Sequence, residues 1–351
     1  MDITERSRQV LLSCCLKNGA IIAADTDDPH YPHDVQAYRY VWPRDAAYVC
    51  YALGRLGHRE EQVAFFDWLS RAEDFRETGL LFQNYYTHGR KRWLSFQPDQ
   101  NGSMLWIISE FLKDEKDSKV KEKYSQMISH LADGLCRVWD STHFTIMTQD
   151  LWEHFFTYPE MKGSFIYSLA ACSCGLSRAY GIMGKEQYLA ASDQMRKAVE
   201  ESYNRFFPRS TGLNPDLTPD TSFFALIWPY RLLEALDPRV KASAERLFSE
   251  LDSSGILHRY SYDDYDGFRF QGIDARRGSG SWPIANFFAS IYLSLSGEKD
   301  KARHYYDQVI QRIDENNNIP EQIFTNSIQR SIKPLAWSHA MQVIASSFLE
   351  R

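Results

Sequence analysis

The chain has 351 residues, of which 44% are hydrophobic and 25% are charged, and its formal net charge is −6. This length and composition predict a globular protein with a large buried core. The acidic balance and the lack of any Lys/Arg run exclude the basic surface that binds nucleic acid, so polyanionic partners are not expected.

The sequence shows no leader and no membrane span. Residues 1–6 open with charge, and no segment reaches the ~18 apolar residues that a membrane helix needs. We therefore expect a cytoplasmic protein without a membrane partner. Cys172 and Cys174 lack the CxxC spacing of a zinc or redox site, and the other cysteines lie in apolar runs. No metal or cofactor is predicted.

Hydrophobic periodicity close to 3.6 residues recurs along nearly the whole chain, which predicts an all-α protein. Strand-like alternation is confined to 80–86 and 92–96, so β structure is expected only as short hairpin elements in loops. Breaks at Gly, Pro and polar clusters give about twelve helices. In chain order the predicted helices are 3–17, 44–57, 59–76, 102–114, 117–140, 161–182, 184–205, 221–235, 238–251, 282–296, 298–314 and 333–349.

The connections alternate between tight turns and long loops. Helical hairpins joined in this way predict a closed ring, an (α/α)6 barrel, with the long loops at one end. An α-solenoid would show the same alternation, but no fixed repeat period is present. No Pro/Gly/Ser-rich linker divides the chain, so we expect a single domain over 1–351. The predicted long loops are 18–43, 77–101, 141–160, 206–220, 252–281 and 315–332.

The first two long loops carry candidate binding residues. Trp42-Pro43-Arg44-Asp45 precedes an apolar helix, so Pro43 and Asp45 could simply start and cap that helix. An aromatic face, a guanidinium fork and a carboxylate are also what a sugar ring with its hydroxyls requires. The run 96–102, which includes Gln97, is either turn chemistry or a hydrogen-bonding surface for a polar neutral ligand.

Tryptophan, tyrosine, arginine and carboxylates recur in the later long loops. Any one of these tryptophans could be a core residue, and either loop glutamate alone could be a solvated carboxylate. Because the ring places the loops at one end, their shared composition predicts a carbohydrate-binding cleft. The segments are Trp152-Glu153-His154, Arg259-Tyr260, Asp263-Asp264-Tyr265, Trp282-Pro283, Pro320-Glu321-Gln322 and Leu335-Ala336-Trp337-Ser338-His339.

These motifs resemble, in chain order, those of glycoside hydrolase family 15, which includes glucoamylases, glucodextranases and some trehalases. The resemblance runs from about residue 38 to 340 and implies an inverting mechanism with two glutamates. By resemblance Glu153 is the general acid and Glu321 the general base, while Arg44 and Asp45 hold the non-reducing sugar. The residues expected to complete the pocket are Trp42, Gln97, Trp152, Arg259, Tyr260, Trp282 and Trp337.

An inverting hydrolase needs one protonated carboxyl group and one carboxylate, ~6.5–9.5 Å apart. A tryptophan beside Glu153 is expected to raise the pKa of this acid by desolvation. Glu321 lies beside Gln322 in a polar loop and is expected to stay ionised.

The chain departs from the family pattern in several places. His154 follows the acid where many members have an acidic residue, which is expected to alter the pKa of Glu153 or the shape of a subsite. Residues 267–280, with Arg269, Arg276 and Arg277, look like an insertion. The chain has no room for the N-terminal β-sandwich of prokaryotic members, and no starch-binding module is visible, so we expect short soluble oligosaccharides as substrates.

The predicted function is therefore an inverting, exo-acting α-glucosidase of the glucoamylase type, without cofactor, that acts on malto- or isomalto-oligosaccharides. A trehalase of the same family is one alternative. Another is a non-catalytic carbohydrate-binding or regulatory barrel that resembles the phosphorylase kinase regulatory subunits. The presence of both Glu153 and Glu321 in their motifs favours an enzyme, and Asp263-Asp264 is too isolated to support a prenyl-transforming barrel. The glycosidic linkage and the oligomeric state stay open.

Overall fold

The computed structural model describes residues 2–265, 267, 278–326 and 329–350. The fold is mainly helical, as predicted, with twelve α-helices among the described residues. They are α1 Ile3–Ser13, α2 Pro43–Arg55, α3 Arg59–Leu69, α4 Phe75–Thr78, α5 Pro98–Lys113, α6 Ser118–Arg137, α7 Ile166–Met183, α8 Glu186–Glu201, α9 Pro238–Leu251, α10 Pro283–Leu295, α11 Lys299–Ile310 and α12 Ala336–Leu349. Two 3-10 helices cover Pro159–Met161 and Thr221–Leu226.

The short β structure lies in the long loops, as expected. Strand β1 (Thr148–Gln149) pairs antiparallel with β2 (Phe156–Thr157), and β3 (Asp252–Ser253) pairs antiparallel with β4 (Ile256–Leu257). The strand-like stretches 80–86 and 92–96 form isolated bridges, such as Phe82 with Phe96, in place of regular strands.

Six helical segments form a closed inner ring. Helix α2 contacts α5, α5 contacts α7, and α7 contacts the 3-10 helix Thr221–Leu226, which contacts α10; α10 then contacts α12, and α12 closes the ring on α2. Helices α1, α3, α6, α8 and α11 pack outside α12, α2, α5, α7 and α10 respectively. Helix α9 packs on the 3-10 helix through Phe248 and Phe224, whose ring centroids lie 5.5 Å apart. The predicted (α/α)6 barrel is confirmed.

Several predicted helices differ from the structure in their bounds, and two of the differences have a local cause in a proline. The predicted helix 221–235 ends as a 3-10 helix at Leu226, because Pro229 lacks an N–H and disfavours helical backbone at the residue before it. The predicted helix 59–76 stops at Leu69 and resumes only as the short α4. Helix α5 begins at Pro98, four residues before the predicted start, since proline suits the first helical position.

The inner helices begin in a repeated way that places side chains at one end of the ring. Trp42, Gln97 and Trp282 each precede a proline and each cap a helix, α2, α5 and α10 respectively. Because proline favours an extended residue before it, all three have φ between −102° and −118°. Trp337 lies in the first turn of α12. Three tryptophans are thus carried at the N-terminal ends of inner helices.

The close packing of the inner helices α5 and α7 depends on glycine. A Cβ on Gly102 of α5 would lie 2.4 Å from the carbonyl carbon of Ala171 in α7. A side chain at this position would push α5 and α7 apart.

No helix among the described residues is both long and apolar enough to cross a membrane. Arg269, Arg276 and Arg277 of the expected insertion lie outside the described residues.

Candidate active site

A pocket of about 230 Å³ lies where the inner helices begin. It brings together residues from the first, second, third, fifth and sixth predicted long loops. Nine of the predicted site residues line it: Trp42, Arg44, Asp45, Trp152, Glu153, Arg259, Trp282, Glu321 and Trp337. The other lining residues are Gln36, Tyr38, Gln83, Asn84, Arg92, Trp93, Leu151, His154, Tyr265 and Leu335.

Gln97 and Tyr260 were predicted to line this pocket and do not. Gln97 lies behind Arg44, whose Nη1 donates to the Gln97 Oε1 at 3.2 Å, and its own Nε2 donates to the carbonyl of Asp150 at 2.9 Å. Its position follows from the early start of α5, which turns Gln97 into a helix cap. Tyr260 is buried beside the pocket, where its hydroxyl lies 2.5 Å from Nδ1 of His154.

Glu153 is presented by a tight turn with an unusual backbone. Its φ is +65°, a left-handed conformation that a residue with a side chain adopts only when its surroundings hold it. Asp150 holds this turn, since its Oδ1 accepts from the N–H groups of His154 and Phe155, each at 2.9 Å. The Glu153 carboxylate accepts hydrogen bonds from Nε1 of Trp42 and Nε2 of Gln83.

Burial among the pocket walls raises the pKa of Glu153 to about 7, although Arg44 and the Trp42 N–H lower it. The pKa of the proposed acid is therefore raised, as expected, but Trp152 is not the tryptophan that contacts the carboxylate. The Trp152 indole N–H instead donates to the buried Asp220, at 3.0 Å from each carboxylate oxygen.

Glu321 is buried, with 6% of its surface exposed. Burial raises its pKa to about 7, against the lowering effects of Arg259 and Tyr38, and the Glu153 charge raises it further. The loop that carries Glu321 packs into the barrel and removes water, so the polar surroundings expected from the sequence are absent. That Glu321 is ionised stays a prediction. The Tyr265 hydroxyl lies 3.5 Å from the Glu321 Oε2 and 3.0 Å from the Tyr38 hydroxyl.

Arg44 and Asp45 form a buried charged cluster with Asp99. The Arg44 side chain is 3% exposed, and its Nη1 lies 3.1 Å from Asp99 Oδ2 and its Nε 3.3 Å from Asp45 Oδ1. Burial raises the pKa of Asp45 to about 6, despite the neighbouring guanidinium. The guanidinium also lies 5.3 Å from the centroid of the Trp337 ring.

Arg259 lies in the pocket wall beside Trp152 and Trp282. Its Nε and Nη2 each donate to a different carboxylate oxygen of Asp263 at 2.8 Å, which is the bidentate geometry that fixes a guanidinium. The same guanidinium lies 4.4 Å from the Trp282 ring centroid and 5.2 Å from that of Trp152. The tryptophan faces are therefore held rigidly.

Several polar atoms on the pocket-lining residues have no hydrogen-bond partner within the described part of the chain. They are both side-chain amide atoms of Asn84 and the indole N–H groups of Trp282 and Trp337. Nε of Arg44 and Oδ1 of Asp45 are satisfied only by their mutual ion pair at 3.3 Å. Buried polar groups are normally paired, and each unpaired group costs ~1–3 kcal/mol. Donors and acceptors of this kind around aromatic faces suit a polyhydroxylated ligand.

His154, Asp263 and Asp264 bring three possible metal ligands within 4.8 Å of one another. Asp263 is already bound by Arg259, and its pKa is lowered by that pairing against the effect of burial. This group is therefore a structural ion pair next to an exposed loop.

The start of α12 holds the loop that carries Glu321. The Ile319 N–H donates to Nε2 of His339 at 3.0 Å, and the Ser338 hydroxyl donates to the Pro320 carbonyl at 2.8 Å. Since Nε2 of His339 accepts, Nδ1 carries the proton and donates to Ser7 of α1 at 2.9 Å. Burial lowers the pKa of His339 to about 3, so the imidazole stays neutral and this arrangement holds across physiological pH.

His339→Leu should lower the free energy of unfolding by ~1–3 kcal/mol, because it leaves the buried Ile319 N–H without an acceptor. It should also lower the kcat of the hydrolysis expected from the sequence more than it changes KM, since a shift of ~1 Å in a catalytic group costs ~10²-fold. Urea unfolding and steady-state kinetics test both effects. Ser7→Ala is the matched control, because it removes only the contact on the far side of the ring; an equal loss of kcat in both variants would contradict positioning by His339.

Sequence reasoning missed Tyr38, Gln83, Asn84 and Asp220. Gln83 and Asn84 interrupt the apolar run 80–86. A polar pair within an apolar run of a long loop could have indicated residues that face a binding pocket. Tyr38 and Asp220 reach the site only through the folding of their loops, and nothing in their local sequence marks them.

Sequence comparisons give related proteins. Residues 12–91 match the family model described as glycosyl hydrolases family 15. The chain is 30% identical, over 371 aligned residues, to an uncharacterised glycosyl hydrolase of Methanocaldococcus jannaschii, a match that covers 98% of this chain and 55% of that protein. The chain thus spans about half the length of this curated relative.

Solved structures show the same fold. A glycosidase variant in complex with glucose has a TM-score of 0.79 and 19% identity and is matched over 99% of this chain and 96% of its own. A bacterial glucoamylase complexed with acarbose has a TM-score of 0.78 and 20% identity, over 99% of this chain and 55% of its own.

Proposed function

The chain is related to the glycosyl hydrolases of family 15, and from this we propose that it is an inverting exo-acting α-glucosidase that removes terminal glucose from malto- or isomalto-oligosaccharides. The observation that carries the proposal is the meeting of Glu153 and Glu321 in one pocket with Arg44 and Asp45. The same pocket argues against a purely regulatory barrel, which has no need of two carboxyl groups with raised pKa.

In the proposed reaction Glu153 is protonated and Glu321 is ionised. Glu321 takes a proton from water as the water oxygen attacks the anomeric carbon, and Glu153 gives its proton to the leaving oxygen as the glycosidic bond breaks. The two carboxyl groups have separate partners: Trp42 and Gln83 contact Glu153, and Tyr265 contacts Glu321. The Tyr38 and Tyr265 hydroxyls lie beside Glu321 and are suited to hold the attacking water.

Binding of the terminal sugar is assigned to the other walls of the pocket. The side-chain amide of Asn84 offers a donor and an acceptor that have no hydrogen-bond partner in the described part of the chain, and the indole N–H groups of Trp282 and Trp337 offer two further donors. Arg44 and Asp45, which pair with each other at 3.3 Å, line the same pocket. The volume of about 230 Å³ is below the ~300–1,000 Å³ of pockets for drug-sized ligands, which favours a single sugar ring. This size supports exo-acting hydrolysis from a chain end.

A proton NMR time course with maltotriose, isomaltotriose and trehalose tests the proposal. We expect β-glucose to appear first from one of the two glucans, before mutarotation produces the α-anomer. Early α-glucose would contradict inversion, and release from trehalose alone would identify the trehalase alternative. Release from none of the three would reject a glucosidase of this kind.

The pH dependence should be bell-shaped with its maximum close to neutral pH. Burial raises the pKa of both glutamates to about 7, so the pair shares one proton at a pH near 7. Two solvated glutamates would share one proton at a pH near 4.5 instead. Activity should fall at lower pH as Glu321 gains a proton and at higher pH as Glu153 loses its own. The measurement is kcat/KM for the oligosaccharide across pH 4 to 10; an optimum near pH 4.5 would contradict it.

Two predictions of the sequence are carried forward as proposals. We place the whole chain, 1–351, in one catalytic domain, and we place the protein in the cytoplasm.

A further inference from the structure

The fourth predicted long loop, 206–220, ends where the fourth member of the inner ring begins, yet none of the described residues that line the catalytic pocket comes from it. That member is the 3-10 helix Thr221–Leu226, and Asp220 is its N-cap. Trp42 and Trp282, which cap α2 and α10, line the pocket themselves. Asp220 instead reaches the pocket through a side chain that lines it.

The Asp220 carboxylate is buried and accepts hydrogen bonds from three groups. Its Oδ1 accepts from the N–H of Ser222 at 2.8 Å, and its Oδ2 accepts from Nε of Arg209 at 3.0 Å. The Trp152 indole N–H lies 3.0 Å from both oxygens. Because a buried indole N–H normally has a partner, the direction of this N–H, and with it the plane of the ring, follows from the position of the carboxylate.

Arg209 is itself fixed inside the fold. It is 4% exposed, and its Nη1 donates to Asp216 at 3.1 Å. Its guanidinium lies 4.3 Å from the centroid of the Tyr260 ring and 4.4 Å from that of Phe155. Replacing a buried ion pair by apolar side chains of similar volume is often neutral or stabilising, so stability alone does not explain the pair of Arg209 with Asp220. A role in orientation fits the geometry better.

The plane of the Trp152 ring matters because other rings of the pocket pack on it. Its centroid lies 5.5 Å from that of Trp282 and 6.5 Å from that of Trp337. The Arg259 guanidinium lies 5.2 Å from the same ring. A rotation of the Trp152 ring would therefore displace the aromatic wall of the pocket.

We propose that Asp220, held by Arg209, is a positioning residue of the proposed hydrolysis: it sets the plane of the Trp152 ring and thereby the shape of the pocket wall. The kinetic consequence rests on the proposed function. The fourth long loop then acts on the reaction without touching the substrate.

A double-mutant cycle on kcat/KM tests the proposal, with the oligosaccharide that the enzyme cleaves as substrate. Asp220→Asn places an amide donor against the donors of Arg209 or Trp152, and the resulting shift of the ring should lower kcat/KM by ~10- to 10²-fold. Trp152→Phe has no indole N–H to hold. In that background Asp220→Asn should change kcat/KM by about twofold or less. The same fold loss in both backgrounds would overturn the proposal.

Hydrogen exchange of the Trp152 indole N–H gives a second readout, which does not depend on activity. Its NMR signal in isotope-labelled protein is the one that is absent from Trp152→Phe. In Asp220→Asn the exchange should be faster by about tenfold or more, the loss expected for one hydrogen bond to a charged group. Unchanged exchange would overturn the positioning by Asp220. If the unmodified protein cleaves no oligosaccharide, the proposed function is rejected, and the exchange rate alone decides whether Asp220 holds Trp152.

Asp237→Asn is the matched control. Asp237 also caps a helix and pairs with an arginine, since it accepts from the Arg239 N–H at 2.8 Å and from Nη2 of Arg239 at 2.7 Å. It is not among the described residues that line the pocket. Its substitution should leave both kcat/KM and the indole exchange unchanged. Equal losses of kcat/KM in Asp237→Asn and Asp220→Asn would show that losing a cap and an ion pair is enough, and would overturn the proposal.

A second variant covers the case in which Asp220→Asn does not fold because Arg209 has lost its partner. Asp220→Asn combined with Arg209→Gln removes both charges of the pair and leaves no buried guanidinium behind. The same loss of kcat/KM, its absence in the Trp152→Phe background and the faster indole exchange are expected of this variant. Unchanged kcat/KM and unchanged exchange in it would overturn the proposal.

Discussion

Glu153→Gln should reduce hydrolysis of the oligosaccharide by ~10²- to 10⁴-fold and spare most hydrolysis of α-glucosyl fluoride, whereas Glu321→Gln should reduce both. The reason is that fluoride leaves without a proton from an acid, but water must be activated in either reaction. Steady-state kinetics of the two variants on the two substrates give the four rates. The alkaline limb of the pH profile should be present on the oligosaccharide and absent on the fluoride in the unmodified protein, because only the oligosaccharide needs the Glu153 proton.

The control is Glu160→Gln, an exposed glutamate of the same long loop, which should retain full activity on both substrates. Equal losses on the fluoride in Glu153→Gln and Glu321→Gln would contradict the assignment of separate acid and base roles. A loss on the fluoride in Glu153→Gln only would show that the two roles are reversed.

Arg44→Met should lower the free energy of unfolding by ~3–5 kcal/mol, the usual cost of removing one partner of a buried ion pair. Asp99 is fully buried and Asp45 is 9% exposed, so both carboxylates would be left without their cation inside the barrel. Thermal and urea denaturation measure the loss. Arg303→Met is the control, because Arg303 is 54% exposed and lies 4.0 Å from Asp307, and such surface pairs contribute little.

A double variant separates charge from packing. Asp99→Asn removes one of the unpaired charges, so Arg44→Met with Asp99→Asn should be more stable than Arg44→Met alone. If the double variant is less stable by the sum of the two single losses, the cost lies in packing and not in the unpaired carboxylate.

The general architecture could be predicted because it is encoded in local patterns. The hydrophobic period, the turn residues and the alternation of tight turns with long loops can all be read from neighbouring residues. They were enough to predict the ring of helices and the end of the ring at which the long loops lie. Trp42 and Trp282 were placed at the site by the resemblance of their motifs to family 15, and in the structure the proline after each of them begins an inner helix.

The predictions failed for residues whose position in the site is set by tertiary packing. Gln97 was placed in the pocket because its loop composition is polar, but the helix start at Pro98 turns it behind Arg44. The polar neighbours of Glu321 in the sequence suggested a solvated loop, yet the loop packs into the barrel and burial raises the pKa of Glu321. Neither outcome depends on neighbouring residues, so composition alone could not reveal it. The partners of Glu153 are set in the same way, since Trp42 and Gln83 come from other loops.

The closure of the ring between α12 and α2 also bears on how the protein becomes active during synthesis. Trp337 and the residues that fix Glu321 lie in or beside α12, near one end of the chain, while Trp42, Arg44 and Asp45 lie near the other. A nascent chain that still lacks α12 can form neither the contact between α12 and α2 nor the pocket. The proposed activity should therefore appear only once α12 has been synthesised, and proteolytic removal of α12 should abolish it.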